Sequence, residues 1–557
     1  MNVTLVSDDA VERLLQDAGF RAQWTRLYEQ CRWATSMQSL PFVETWYQVY
    51  RSLYAPLLAI GVDDAGALLG LLPLAVERAS RRLIVAGAQY AEYKTWVAAE
   101  SQGDSFIAEA LDRLGAAFPD QTLPFLFLAP RSPLGWLSRR GWSGRTDLRP
   151  LPRPLMNVQD VSALKDSLRK KGNRSRINQM ERLGRLSLVQ LHQPAELAAV
   201  FDELELQANL RLSAIHDFRP GRDPLKKAFY VALMETGMVH ATLLKIGEDI
   251  ASGHVNLRNR DEVLLGMTSF SPLYGGYSPS KFHIMLLGLE LAGQQVTAFD
   301  LTPGGEYKDR HATHHDEAYA LTVFFNRAAY LRHRARRGLV TVAKRALTTL
   351  GIERDQLAAR LGAARRKVAG IGSAGRSALT MQRTEVRVYA LTAEQAAALP
   401  PAELLQRNGI ADLLAYAPTE PWQPPIRTFH QEALRRLETG WTVFTAAEGG
   451  RLLWYGWVSP AREKVSLGGV GQEWQPPEDA AALVDCYVEA GNPGLARDGL
   501  SQMAQWAASR PQVRQVQVAV AAANPALRSA VEAAGGAYLG SFYKDQKLGR
   551  TRRWSSY

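Results

Sequence analysis

The chain has only two cysteines, Cys31 and Cys486, among 557 residues. They lie far apart in sequence, so there is no disulfide framework and no thiol metal motif, and a reducing compartment is expected. No run of about 18 apolar residues occurs, which leaves no candidate transmembrane helix. The opening MNVTLVSDDAVERLL is acidic and lacks the charged-then-apolar order of a secretory signal, so the cytoplasm is the expected location. Also missing are a G-x-S-x-G elbow, a Ser-His-Asp order, a Walker phosphate loop and an H-E-x-x-H helix. Hydrolase, nucleotide triphosphatase and zinc-protease readings therefore have no support. HATHHD puts His311 and His315 four residues apart, but no second ligand cluster accompanies His311, His314, His315 and Asp316, and no metal is expected.

What the chain does have is positive charge, a formal +11, and it is uneven. Much of it sits in residues 165–185 and 327–376. A basic surface of this kind meets nucleic acid, anionic lipid, or a polyanionic substrate or cofactor; the plainer reading is a solvated helix face. The length is too great for one core and implies about three or four domains.

The chain can be arranged around residues 263–310, VLLGMTSFSPLYGGYSPSKFHIMLLGLELAGQQVTAFDLTPGGEYKDR. VLLGMTSF reads as a strand, followed by a Gly-rich turn. Ser278-Pro279-Ser280 opens a helix, with Ser as N-cap and Pro at the first helical position. That helix is apolar on two faces and should be buried. QQVTAFDL is the next strand, with Asp300 at its carboxyl end. A helix start has backbone N–H groups without partners and is an anion site suited to a pyrophosphate, and Lys281 adds charge in its first turn. An ordinary helix start between two strands is the plainer alternative.

Strand, turn, strand recurs three times, in PLLAIGVDDAGALLGLLPLAVER, HATLLKIGEDIASGHVNLRN and WTVFTAAEGGRLLWYGWVSP. Each copy follows helices and precedes helix–strand alternation. The spacing of roughly 190 residues is too long for a solenoid and suits three globular α/β units of one type. Two helices are expected between residues 10 and 50, broken at Gln38-Ser39 and Pro41. A boundary is expected at residues 150–154. Residues 326–379 read as basic amphipathic helices, one of them at 354–368, ending in a Gly/Ser linker. Such a segment also suits the surface of an anionic membrane.

Helices, an antiparallel hairpin, then alternating strands and helices are similar to the GNAT acyltransferase fold. Two such units in tandem resemble the FemAB-type transferases. GALLGLLPL, LRKKGNRSRINQMERLG, DIASGHV, YSPSKFHIMLLGLELAGQQVTAFDL and GGEYKDRHA resemble, closer still, the CelD/BcsL-type acetyltransferases with a BioF-like acetyltransferase domain, a group associated with cellulose and exopolysaccharide production. The resemblance covers about residues 1–330. Pro279-Ser280 stands where that family more often has Pro-Gly. The C-terminal part resembles a single GNAT domain, with DCYVEAGNPGLARDGLSQMAQW in place of the basic, Gly-rich pyrophosphate loop and VAAANPALRSAVEAAGGAYLG as the later Asn-bearing segment.

The resemblance implies an α/β (α+β) fold of tandem GNAT-like units with mixed central sheets flanked by helices. It implies a degenerate N-terminal lobe (1–155), a second lobe holding the site (156–326), a basic connector (327–382) and a C-terminal GNAT-like domain (383–557). The implied co-substrate is acetyl-CoA or another acyl-CoA, held by Tyr277, Ser278, Ser280 and Lys281. Such transfer requires alignment, proton removal and oxyanion stabilisation. Asp300 and Glu306 are candidate bases, with Asp300 expected at a strand end facing a cleft. Tyr307 is a candidate for donating to the thiolate or positioning substrate, and Lys308 is a candidate for holding an anionic substrate. Arg169, Lys170 and Arg174, with Lys171 and Arg176, suit the phosphates of a nucleotide-sugar, lipid-linked donor or tRNA. The implied activity is acyl transfer to an amine or hydroxyl of a sugar, polysaccharide or lipid-linked precursor, with polysaccharide-synthesis proteins as partners. The alternatives are a FemAB-like aminoacyl-tRNA-dependent transferase, the one case in which nucleic acid is an expected partner, and a non-catalytic scaffold of a polysaccharide-synthesis complex.

Overall fold

The structure is a computed structural model and describes residues 1–139, 141–215, 223–349, 382–418, 423–460, 463–489, 492–547 and 550–557. The Gly/Ser linker, the later part of the expected basic helices (residues 350–381) and residues 490–491 of the C-terminal EAGNPGLA stretch lie outside the described residues. Two compact units form: Met1–Leu204 with Arg222–Ser269 and Tyr277–Gly351, and Glu205–Gly221 with Phe270–Gly276 and Ile352–Tyr557. No helix among the described residues is long and apolar enough to cross a membrane.

The strands up to residue 349 are β1 (Asn2–Ser7), β2 (Tyr54–Val62), β3 (Leu68–Glu77), β4 (Leu83–Val85), β5 (Tyr93–Lys94), β6 (Val97–Ala98) and β7 (Thr122–Leu128). They continue with β8 (Thr146–Asn157), β9 (Leu186–Leu191), β10 (Val239–Ile246), β11 (Asp249–Asn259), β12 (Glu262–Phe270), β13 (Ala298–Asp300) and β14 (His314–Phe324). The helices are α1 (Asp9–Gln16), α2 (Ala18–Gln30), α3 (Leu40–Tyr50), α4 (Gly103–Ala117) and α5 (Ser162–Arg169). They are followed by α6 (Lys171–Leu183), α7 (Pro194–Ile215), α8 (Lys226–Glu235), α9 (Pro279–Leu291) and α10 (Arg327–Thr349). Further on come β15 (Gln382–Thr392), β16 (Gln406–Arg407), β17 (Thr442–Glu448), β18 (Arg451–Val458), β19 (Val465–Leu467) and β20 (Gln472–Trp474). The last strands are β21 (Ala480–Val488), β22 (Gln515–Ala521), β23 (Ala537–Lys547) and β24 (Arg550–Ser555). The helices there are α11 (Ala393–Ala397), α12 (Ile410–Leu414), α13 (Ile426–Glu438), α14 (Pro493–Ala508) and α15 (Pro525–Ala533).

The two largest sheets follow one plan. One contains the order β14-β8-β13-β12-β11-β10-β9 and the other β23-β15-β22-β21-β18-β17-β16. In each, the opening strand (β8 or β15) sits antiparallel beside β13 or β22, and a parallel pair (β12/β13 or β21/β22) holds the centre. An antiparallel hairpin (β10/β11 or β17/β18) lies to one side. The expected α/β architecture of repeated mixed sheets flanked by helices is therefore what the chain forms. A third hairpin, β2/β3, belongs to a five-stranded sheet. Its turn is tied by Asp63, whose side chain accepts from the N–H groups of Ala65 and Ala67 at 2.9 and 2.8 Å. β2 and β3 are buried along nearly their whole length, which is why their sequences are continuous apolar runs rather than alternating ones.

Some local expectations are corrected. Residues 10–50 form three helices, not two: Asp17 ends α1 and caps α2, accepting from Phe20 N–H at 2.6 Å, and Pro41 lies in the first turn of α3 rather than breaking a helix. The chain also opens with a strand, β1, which pairs antiparallel with β2. Residues 150–154 are not a boundary but the middle of β8. Pro150, Pro152 and Pro154 alternate along it, and the Pro154 carbonyl accepts from Leu301 N–H at 3.0 Å on the side away from β14. All three prolines thus face that side, and no ladder donor toward β14 is lost. β7 and β8 both pair with β14, so residues on either side of 155 share one nine-stranded sheet.

Candidate active site

β12 and β13 pair over three residues, Glu262↔Ala298 to Leu264↔Asp300. β12 then continues to Phe270, while the other strand turns away through Thr302 at φ 59°. The wedge between them is set by backbone geometry. Just past the last pair, Gly266 lets β12 pass close to β11: a Cβ there would lie 2.2 Å from the Val255 carbonyl oxygen, so no larger residue fits without moving backbone.

A cavity of about 300 Å³ opens on this wedge. One wall is Leu264, Leu265, Gly266 and Met267 of β12, with Leu257 of β11. Another is Thr302, Tyr307 and Lys308. The remainder comes from distant sequence: Met37, Gln89, Tyr90 and Glu92 from the N-terminal lobe, and Lys226 and Tyr230 from α8. Lys308 is fixed by donating to Thr302, to its carbonyl at 3.1 Å and its hydroxyl at 2.8 Å. Burial raises the Glu92 carboxyl above the ordinary range, while Lys308, Thr302 and Lys94 pull the other way. The Lys94 ammonium, buried two residues on, is pushed down to about 8 by burial against the opposing pull of Glu92. A carboxylate raised by burial and facing a cavity is suited to taking up a proton.

Asp300 does not face this cavity. It is fully buried and accepts from Tyr93 Oη at 2.8 Å, Arg153 Nε at 2.8 Å and Thr302 N–H at 2.7 Å. Arg153 also reaches Asp316 at 3.0 Å and Glu262 at 2.6 Å. The expectation of a cleft-facing Asp300 is thus corrected: the strand end points into the sheet, where a guanidinium compensates the charge. Glu306 is exposed and lies off the cavity wall. Of the residues expected at the chemistry, Tyr307 and Lys308 are brought together there. A larger cavity of about 430 Å³ lies at the other end of the parallel pair, beside Glu262, Thr297 and Ala298.

The start of α9 is built differently from a simple cap. Ser278 takes a left-handed conformation (φ 61°) and its side chain makes no capping bond; its hydroxyl instead accepts from Arg176 at 3.2 Å. Lys281 donates to Asn173 on α6 at 2.7 Å. Burial, then Arg176 and Lys170, push the Lys281 ammonium down. Lys281 of α9, Arg176 of α6 and Lys170 between α5 and α6 thus gather near the helix start, while Tyr277, Ser278 and Ser280 remain half-buried. Arg169 pairs with Asp166 at 3.7 Å, and both Arg169 and Arg174 are exposed. The corresponding helix of the N-terminal lobe, α4, has Asp104 in its first turn. Its Gly103 leaves no room, because a Cβ would come within 2.8 Å of Pro133 and 2.9 Å of Trp33. In the C-terminal unit, β21/β22 pair from Ala480↔Gln515 to Leu483↔Val518, and β21 runs on to Val488. There Asn524 donates to the Cys486 carbonyl at 3.2 Å, and Arg497 near the start of α14 is paired with Asp498 at 3.0 Å.

Around residues 311–316, His315 hydrogen-bonds Asp309 at 3.0 Å, His314 contacts Thr313 at 3.1 Å and Asp316 belongs to Arg153. No group of three potential metal ligands occurs among the described residues.

Residues 167–319 match the family model of the acetyltransferase (GNAT) domain. That span runs from the end of α5 through the wedge, α9 and most of β14. No curated protein matches the chain. Among solved structures, the chain is similar to the C-terminal domain (DUF2156) of a putative lysylphosphatidylglycerol synthetase from Agrobacterium fabrum, at 12% identity and TM-score 0.34, covering 56% of this chain and 94% of that one. It is similar to FemX at 10% identity and TM-score 0.39, covering 55% and 94%. A tandem GNAT protein from the clavulanic acid biosynthesis pathway gives 14% identity and TM-score 0.33, covering 58% and 99%. The family-model match gives residues 167–319 as a GNAT acetyltransferase domain, a type of domain that uses acyl-CoA. Glu92, Tyr90, Lys226 and Tyr230 carry no motif in the sequence. They reach the cavity only because β5 and α8 pack around the wedge.

Proposed function

We propose that this protein is an acyl-CoA-dependent acyltransferase, with acetyl-CoA as donor and the reacting centre in the cavity at the β12/β13 wedge. The observation that carries the reading is the conjunction of that wedge with a basic helix start at α9 and a half-buried carboxylate, Glu92, lining the cavity. The residues present fit an acyl-CoA. Its phosphates would be held at the start of α9 by the Ser280 N–H together with Lys281, Arg176 and Lys170. The bound thioester supplies an acyl carbon open to attack.

Glu92 removes a proton from the attacking amine or hydroxyl as the new bond to the acyl carbon forms. The C–S bond then breaks, and Tyr307 is placed to give a proton to the departing sulfur. Lys308, held by Thr302, keeps a fixed positive charge at the cavity wall. Asp300 has a positioning role in this scheme, and Glu92 takes the base role in its place. The N-terminal lobe contributes cavity residues but no phosphate site, since α4 is acidic and covered at its start. An acceptor on a sugar, polysaccharide or lipid-linked precursor, and a link to exopolysaccharide production, are supported by the motif resemblance alone.

The test is calorimetric titration with acetyl-CoA and with coenzyme A, alongside thiol-release kinetics. The wild-type protein is expected to bind at micromolar concentration. Lys281→Glu is expected to weaken binding by about tenfold or more, through loss of one charge and gain of the opposite one. Glu92→Gln is expected to keep binding and lose about a hundredfold in turnover. No binding by the wild-type protein overturns the proposal and favours the tRNA-dependent or scaffold alternatives.

A further inference from the structure

Over Arg327–Thr349 the sequence of α10 carries seven Lys and Arg residues and no Asp or Glu. Its first turn is capped by Asn326, whose Oδ1 accepts from Ala328 N–H at 2.8 Å. One face of the helix then packs on the sheet. Phe324, at the end of β14, lies against the Tyr330 ring with centroids 5.7 Å apart and against His333 at 4.9 Å. Asp147 on β8 meets His333 Nε2 at 3.1 Å and pairs with Arg337. Tyr330, His333 and Arg337 stand three and four residues apart, so they form a single stripe.

The opposite stripe is Ala328, Leu331 and Ala335, at the same spacing. All three are exposed, Leu331 at 55%. Arg327 and Arg334 flank this stripe on one side, and Arg332 and Arg336 on the other. These four arginines are exposed, and none has an ion-pair partner among the described residues. In sequence the spacing of the apolar stripe goes on through Leu339, Val342 and Ala346.

A helix that needs only solubility mixes charges of both signs on its outer face. Here the charge has one sign and brackets an apolar line. Two kinds of partner carry dense negative charge. A nucleic-acid backbone offers phosphates but nothing for Leu331 to bury against. A surface of anionic lipid offers both parts: headgroups at the level of the guanidinium groups, and acyl chains beneath for the apolar line. Arginines on the flanks of such a line reach the headgroups while their stems cover apolar surface. Each cation held at an anionic surface strengthens binding about fivefold, and a leucine drawn out of water adds about tenfold.

We propose that α10 is a docking element for an anionic membrane surface, with its Tyr330–His333–Arg337 stripe on the sheet and its Leu331 stripe turned to lipid. No α10 residue lines the wedge cavity, so the inference stands or falls apart from the acyl-CoA reading.

The test is flotation of the full chain with vesicles of phosphatidylcholine alone and of an equal mixture of phosphatidylcholine and phosphatidylglycerol. The wild-type protein is expected to float with the mixed vesicles only, and less so as salt is raised. Arg332→Gln with Arg336→Gln should weaken binding about thirtyfold, two cations at about fivefold each. Leu331→Ser should weaken it about tenfold at unchanged charge. Arg26→Gln with Arg51→Gln takes the same charge from exposed positions on α2 and just after α3, and should bind within about twofold of wild type. All these positions are exposed, so melting temperatures should not move. No flotation of the wild-type protein with mixed vesicles overturns the inference. Equal losses in the two double variants also overturn it, because net charge alone would then be acting. Unchanged binding in Leu331→Ser overturns it as well, and steeply salt-dependent binding of a single-stranded RNA by that variant would assign the arginines to nucleic acid instead. A lipid-free dimer in sedimentation velocity that Leu331→Ser dissolves overturns it in favour of a second copy of the chain on the same stripe.

Discussion

Replacing Arg153 by Met should destabilise the nine-stranded sheet far more than replacing Asp300 by Asn. Arg153 is 5% exposed and bonds Asp300, Glu262 and Asp316 through three different nitrogens. Removing one partner of a buried ion pair costs about 3–5 kcal/mol, because the other charge is left without water or counter-charge. Asp300 bears most of this cost, since its side chain has no exposure, whereas those of Glu262 and Asp316 are 23% and 44% exposed and can be solvated. Asp300→Asn leaves Arg153 with two carboxylates and an amide oxygen to bond, so about 1–2 kcal/mol is expected. The Arg153→Met penalty should also depend on pH. Without its counter-charge, Asp300 has a folded-state pKa raised further above its unfolded value, so stability is retained in acid and lost as pH rises through the range above about 4. Hydrogen exchange of peptides from β8, β13 and β14 at pH 5 and pH 7.5 reads both effects locally, without assuming that the two units unfold together. Equal losses in the two variants, or a pH-independent loss in Arg153→Met, would refute the reasoning. A Asp300→Asn variant with full stability and turnover reduced about a hundredfold would return the base role to Asp300.

Two further outcomes are expected. Burial, with a smaller push from Arg258, holds the His240 imidazole down at about 4, so the unfolded chain takes up a proton first as pH falls below about 6.5. About 3 kcal/mol should be lost between there and pH 4, measured as a falling denaturation midpoint, and His240→Leu should flatten that slope. Gly266→Ala should lower stability by about 2–3 kcal/mol, since its Cβ meets the Val255 carbonyl oxygen at 2.2 Å, whereas Gly172→Ala on α6, with nothing within 4 Å, should not. Equal melting temperatures for the two glycine variants would show that β11 and β12 can separate at no cost.

The sequence by itself determined the repeated strand–turn–strand units, the buried α9 and the basic start of the second lobe, because hydrophobic period, turn residues and charge are local properties. Tyr307 and Lys308 were legible for the same reason, since they follow directly on the strand that forms the wedge. Only the tertiary structure decided where Asp300 points. Three residues of strand look alike in sequence whether the last carboxylate faces water or a guanidinium 147 positions away. Only tertiary packing brought Glu92 and Tyr90 to the cavity, since their place there depends on β5 joining β7 at the edge of a sheet whose other strands come from later sequence. The prolines of β8 make the same point in reverse: locally they break a strand, but with all three on the side away from β14 they cost the ladder nothing.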